Sequence, residues 1–147
     1  MKYLSLSALL LAFGLGIAAC DSGEEENAGG DPSQITDTKW AVTEVTGEPV
    51  IDESRASFTF TASGGYGGNA SCNSLSGRAE FEGSKGTISP GAMTKMACME
   101  PVMAQENAVV KALEETESWA LEEEELVFYD ADDTPVLRFV PATSDMN

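Results

Sequence analysis

The chain has 147 residues, with 25 acidic against 8 basic side chains, a formal net charge of −17 and 42% hydrophobic residues. That is apolar material for one globular domain, while so negative a surface repels nucleic-acid phosphates and anionic lipid headgroups. There is no histidine, which removes Ser-His-Asp and Cys-His catalysis and the commonest zinc and copper ligands. No cofactor and no resident metal is expected.

Residues 1–19 carry one early lysine, an apolar run broken only by Ser and Gly, and the small pair Ala18-Ala19 before Cys20. This is the n-, h- and c-region pattern of a secretory signal, too short for a spanning helix. Ala18-Ala19-Cys20 resembles the bacterial lipobox, in which the cysteine receives a diacylglycerol and becomes the first mature residue. The expectation is a cell-envelope lipoprotein facing the periplasm, attached to the membrane through its acyl chains. Asp21 resembles the residue that retains enterobacterial lipoproteins in the inner membrane and favours that location. Residues 20–36, acidic and Gly-rich with one Pro and no apolar periodicity, read as a flexible tether. Residues 37–141 read as one module, and 142–147 as a frayed tail.

Within the module, residues 39–45 are β-rich and run into the turn signal Gly47-Glu48-Pro49. Residues 55–62 alternate strictly, which predicts a strand with Ala56, Phe58, Phe60 and Ala62 on one face. The glycine-rich stretch 63–68 predicts sharp turns; it lacks the Lys-Ser/Thr and the following helix of a phosphate loop. Residues 77–82 alternate again. A helix is expected from just after Cys98 to about Thr116, with Glu100 and Pro101 in its first turn and Val102, Met103, Val109, Val110 and Leu113 at helical spacing. Residues 118–121, 126–129 and 136–140 predict a three-stranded meander. About seven short strands and one helix imply a mainly β, antiparallel sheet, curled or closed like a barrel, with the helix covering one end or face.

With Cys20 acylated, Cys72 and Cys98 are the two remaining thiols in an oxidising compartment. A disulfide is the natural expectation; free buried thiols and a redox-active pair are the alternatives. Glu106 falls on the helix's apolar stripe, where a carboxylate must be hydrogen-bonded. It is expected to accept backbone N–H bonds from residues 94–98, the alternatives being a ligand-binding pocket carboxylate or a general acid. Asn73 and Gly77 look like turn chemistry, Asn bonding its own backbone and Gly admitting a close approach. Asp130, Asp132 and Asp133 lack the Gly and distal Glu of a calcium loop and read as a solvated hairpin tip. Met93, Met96, Met99 and Met103 cluster around Cys98; thioethers bind Cu(I), but Met96 and Met103 read as core filler with Met93 and Met99 beside them.

Two segments carry a family resemblance. Asn69-Ala70-Ser71-Cys72-Asn73-Ser74-Leu75-Ser76-Gly77 is similar to the G-x-x-G-C-N-x-x-x-G stretch of META/HslJ-type domains, and Thr94-Lys95-Met96-Ala97-Cys98 resembles the T-x-M-x-C stretch that follows in that family. The opening Trp-containing strand, the helix with Glu106 and the closing hairpin fit the same order, from about residue 38 to 140. The departure is Ser71, where many members have Gly, a difference that bears on the local backbone. The resemblance implies a β-barrel-like envelope lipoprotein linked to stress or toxic-compound tolerance, with no enzymatic activity. Asn73, Gly77, Thr94, Met96 and Glu106 are then structural motif residues. The expected partners are an envelope protein or a small apolar ligand, with an inhibitor or carrier as the second reading.

Overall fold

Short apolar alternations separated by turn residues fold into a sheet that curls until its ends meet. The computed structural model describes residues 29–143; the expected signal, Cys20 and Asp21 lie outside the described residues, as do residues 144–147. Among the described residues, nine strands and one α-helix follow in the order β1 (Lys39–Val45), β2 (Glu48–Pro49), β3 (Ser57–Phe60), β4 (Gly65–Asn69), β5 (Ser74–Glu82), β6 (Lys85–Met93), α1 (Glu100–Glu114), β7 (Ser118–Glu122), β8 (Glu125–Tyr129) and β9 (Pro135–Pro141). All neighbouring strands are antiparallel.

Closure runs through β1. It pairs with β3 on one edge (Trp40 opposite Phe58) and with β9 on the other (Ala41 opposite Val140), so the sheet forms a ring from which β2 projects. The weakest seam is β6–β7, paired only at Lys85 and Ser118 and supplemented by Gly86 N–H to Glu117 C=O (3.1 Å) and Trp119 N–H to Ser84 C=O (2.9 Å). Helix α1 connects these two strands and packs against β6, β9 and β1. Pro90 lies on the β6 edge that β7 leaves free, so its missing N–H costs no ladder bond. The ring is filled by aromatic side chains meeting edge to face: Phe60–Phe81 at 5.5 Å, Phe81–Trp119 at 5.4 Å and Phe128–Phe139 at 4.9 Å between centroids.

Three local expectations are corrected. The glycine-rich stretch contributes strand β4 rather than turns alone: a Cβ on Gly68 would lie 1.9 Å from the Ser57 carbonyl oxygen, so glycine lets β4 approach β3. Residues 32–36, expected within the tether, are packed instead. Asp31 caps a 3-10 turn at Pro32–Gln34, Ile35 is fully buried, and the Trp40 indole N–H donates to the Ile35 carbonyl at 2.9 Å. Ala62 is exposed, because β3 ends at Phe60 and the Thr61–Gly65 turn follows.

Candidate functional site

The residues of the two motif segments meet beside Glu106, in the middle of α1. After β4 the chain turns tightly: Asn69 Oδ1 accepts the Ser71 N–H (2.9 Å), and Ala70 N–H donates to the Asn73 carbonyl (2.8 Å). Ser71 takes φ 131°, a conformation that favours glycine, at the position where the resemblance expects one. This turn aims the N–H groups of Cys72 and Asn73 the same way, and both donate to Glu106 Oε2, at 3.1 and 2.5 Å. The Asn73 side-chain amide donates to Glu106 Oε1 at 2.8 Å. Glu106 is 1% exposed, so three N–H groups replace the water its carboxylate would otherwise bind.

Asn73 then reaches the second segment. Its Oδ1 accepts the Met96 N–H (2.6 Å) and the Thr94 hydroxyl (2.9 Å), while Nδ2 donates to the Met96 carbonyl (3.2 Å). Every donor and acceptor position of that amide is engaged, which fixes its orientation. Thr94 Oγ1 accepts the Ser74 N–H (3.1 Å), and a Cys72–Cys98 disulfide, Cα to Cα 6.1 Å, links the same two segments covalently.

The structure therefore brings together Cys72, Asn73, Thr94, Met96, Cys98 and Glu106, and sets Gly77 apart. Gly77 admits a close strand approach as expected: a Cβ there would lie 2.2 Å from Ser89 O and 2.9 Å from the Tyr66 ring. Three expectations about this site are corrected. Glu106 does accept backbone N–H bonds, but from Cys72 and Asn73 rather than from residues 94–98. Asn73 spans to other segments instead of bonding its own backbone. Met96 makes its hydrogen bonds through its main chain and is 58% exposed; Met93 and Met99 are exposed as well, and none of the three fills the core. Burial favours the stiff aromatic and aliphatic side chains that the alternating strands already supply.

Chemically the cluster is a joint. Its carboxylate is enclosed and committed to three donors, its sulfurs are bonded to each other, and its amide is saturated. Among the described residues, no three His, Cys, Asp or Glu side chains converge on a metal position. A groove of about 680 Å³ lies beside the β5–β6 hairpin, and another of about 650 Å³, lined by Val42, Val50, Ile51 and Ala56, reaches Asn69 of the turn.

Sequence comparison places this geometry. The META domain pattern matches residues 33–143. The chain belongs to the META domain family. No curated protein matches it. This META domain is similar in structure to a protein solved by NMR, at 23% identity and a TM-score of 0.61 over 76% of this chain and 95% of that one. It is also similar to a DUF4847 family protein from Bacteroides vulgatus (15% identity, TM-score 0.59, 79% and 100% covered) and to a protein from Burkholderia xenovorans (17%, 0.56, 97% and 98%). At these identities the likeness is one of fold.

Proposed function

We propose that this META domain is the non-enzymatic body of a bacterial envelope lipoprotein. It is anchored through a lipid on Cys20, faces the periplasm, and supports envelope stress or toxic-compound tolerance through protein contacts or weak ligand binding. The observation that carries the non-enzymatic part is the commitment of Glu106: among the described residues it is the one buried carboxylate, and three N–H donors bind it away from solvent. The anchoring part rests on the Ala18-Ala19-Cys20 pattern, and the periplasmic location draws support from the Cys72–Cys98 disulfide, since such bonds persist outside the reducing cytoplasm. A small apolar ligand would find its place in the groove of Val42, Val50, Ile51 and Ala56.

The test compares a strain lacking the protein with strains restored by wild type, Cys20→Ala and Glu106→Gln. Fatty-acid labelling of wild type but not of Cys20→Ala, with tolerance that tracks the amount of folded, anchored protein, is the expected result. Tolerance abolished by Glu106→Gln at undiminished folded amounts would overturn the non-enzymatic reading. Fractionation of wild type beside Asp21→Ser tests retention in the inner membrane.

A further inference from the structure

The groove of about 650 Å³ lies on the outer face of the ring, and strand register puts it there. Ala41, Ser57 and Asn69 stand opposite one another across β1, β3 and β4 and line it. Their neighbours Trp40 and Phe58 belong to the core, so this row of small side chains faces outward. Residues 50–56 wall the groove with Val50, Ile51 and Ala56. Small-molecule sites span about 300–1,000 Å³, so the size suits a ligand rather than a stray water. We propose that the groove takes a single-chain anionic amphiphile of the fatty-acid class, its alkyl chain along Ala41, Val50, Ile51 and Ala56 and its carboxylate on Arg55. This ligand class rests on the weak-binding half of the function proposed above and gives it a chemistry.

The first reason is charge. The chain has 25 acidic against 8 basic residues, and Arg78, Lys111 and Arg138 are ion-paired with carboxylates. Lys39, Arg55, Lys85 and Lys95 make no ion pair among the described residues. Lys39 and Arg55 both line this groove, with Asp52 the acid beside them. Lys39 pairs opposite Thr59, whereas Arg55 lies beyond Ser57 on the far side of Ala41, so the two cations flank the apolar floor rather than meet. The head group belongs on Arg55, whose planar fork matches a carboxylate. Lys39, at the other end, adds attraction at longer range.

The second is that the wall is already fixed. Val50 N–H donates to the Thr43 carbonyl (3.0 Å), Ile51 N–H to Gln105 Oε1 on α1 (3.1 Å), and Ala56 N–H to Ser54 Oγ (3.3 Å), while the Ser54 and Ser71 hydroxyls share a hydrogen bond (3.1 Å). Binding therefore orders little backbone, which lowers its entropic cost.

The third is that the preference runs against the bulk charge. A surface of net −17 draws cationic amphiphiles and repels anionic ones. A groove that favours the anion reverses that order, and the reversal can be measured.

The experiment holds the full chain in nanodiscs of zwitterionic lipid and follows carbon-labelled Val and Ile methyls by NMR as decanoate, octanoate, decanol or decylammonium is added. The methyls of Val50 and Ile51 are expected to shift and saturate with decanoate. Octanoate, two methylenes shorter, is expected to bind up to about tenfold more weakly. Decanol is expected to bind about fivefold more weakly than decanoate, and decylammonium more weakly still. Arg55→Gln, at an exposed position, should keep wild-type circular dichroism and bind decanoate no better than decanol. Decanol or decylammonium binding as tightly as decanoate, or Arg55→Gln binding decanoate as wild type does, would overturn the proposal and leave the apolar-ligand reading standing. Methyls unmoved by all of these compounds would overturn both. An acidic peptide that shifts the same methyls where decanoate does not would overturn it in favour of a protein partner.

Discussion

Asn73 and Glu106 share two hydrogen bonds across 33 residues of chain, main-chain N–H to Oε2 at 2.5 Å and side-chain amide to Oε1 at 2.8 Å. The oxygen of the same amide holds the Met96 N–H. A carboxylate on α1 thus orients the side chain that pins a segment to which the carboxylate itself makes no hydrogen bond.

Glu106→Gln keeps the shape but turns an amide NH2 toward N–H donors. Hydrogen bonds to charged groups contribute about 1.5–3 kcal/mol, and unsatisfied buried donors cost about 1–3 kcal/mol. The variant is expected to lose about 2–4 kcal/mol of stability. Urea unfolding checks this: the midpoint should fall while the slope is unchanged.

Ser71 carries opposed effects that two substitutions separate. Its φ of 131° strains any side chain, whereas its hydroxyl bonds Ser54 Oγ at 3.1 Å. Ser71→Gly relieves strain worth about 1–3 kcal/mol and gives up a hydrogen bond worth about 1 kcal/mol. Ser71→Ala gives up the bond and keeps the strain. Thermal unfolding is expected to place Ser71→Gly at or above wild type and Ser71→Ala below it.

The Cys72–Cys98 bond, with a sequence separation of 26, restrains the unfolded chain by about 3.5 kcal/mol on the chain-entropy account. Reduced protein should unfold at a correspondingly lower urea concentration. The Glu106 contacts remain, so the reduced chain is expected to keep native circular dichroism in the absence of denaturant.

How much of this was legible depended on which residue types signal position. The alternation of β3, the apolar meander and the helix beginning at Glu100 could be read directly, because burial on one face imposes a period of two or 3.6. Strand β4 could not: three of its five residues are Gly, whose absence of a side chain erases the period while serving close strand approach. β6 was hidden by Gly86, Pro90 and Gly91 in the same way. At the site, a glutamate on an apolar helix stripe announced a buried carboxylate, yet its donors lay more than thirty residues upstream, where no local pattern points. Ser71 in place of Gly was the trace of that turn in the sequence. The methionines misled because hydrophobicity alone does not distinguish a core residue from an exposed one.

Alkaline pH should destabilise the domain through two buried tyrosines. Burial, with Glu114 adding a smaller effect, pushes the Tyr66 hydroxyl up to about 12, and burial together with the hydrogen bond to Glu122 does the same for Tyr129. Both ionise near 10 in the unfolded chain, so their contribution is complete below pH 10 and is lost as pH rises toward 12. Urea midpoints across that interval should fall. The Tyr66 hydroxyl has no hydrogen-bond partner among the described residues, so Tyr66→Phe is expected to hold its neutral-pH stability and lessen the alkaline decline.

Amide hydrogen exchange at Met96 in the Glu106→Gln protein tests the joint most directly. If Glu106 orders the second segment through Asn73, the Met96 N–H exchanges much faster in the variant than in wild type, while core amides such as that of Phe128 slow or quicken only with global stability. Met96 protection that falls no further than that of Phe128 would show the two segments to be held independently, and would contradict the account.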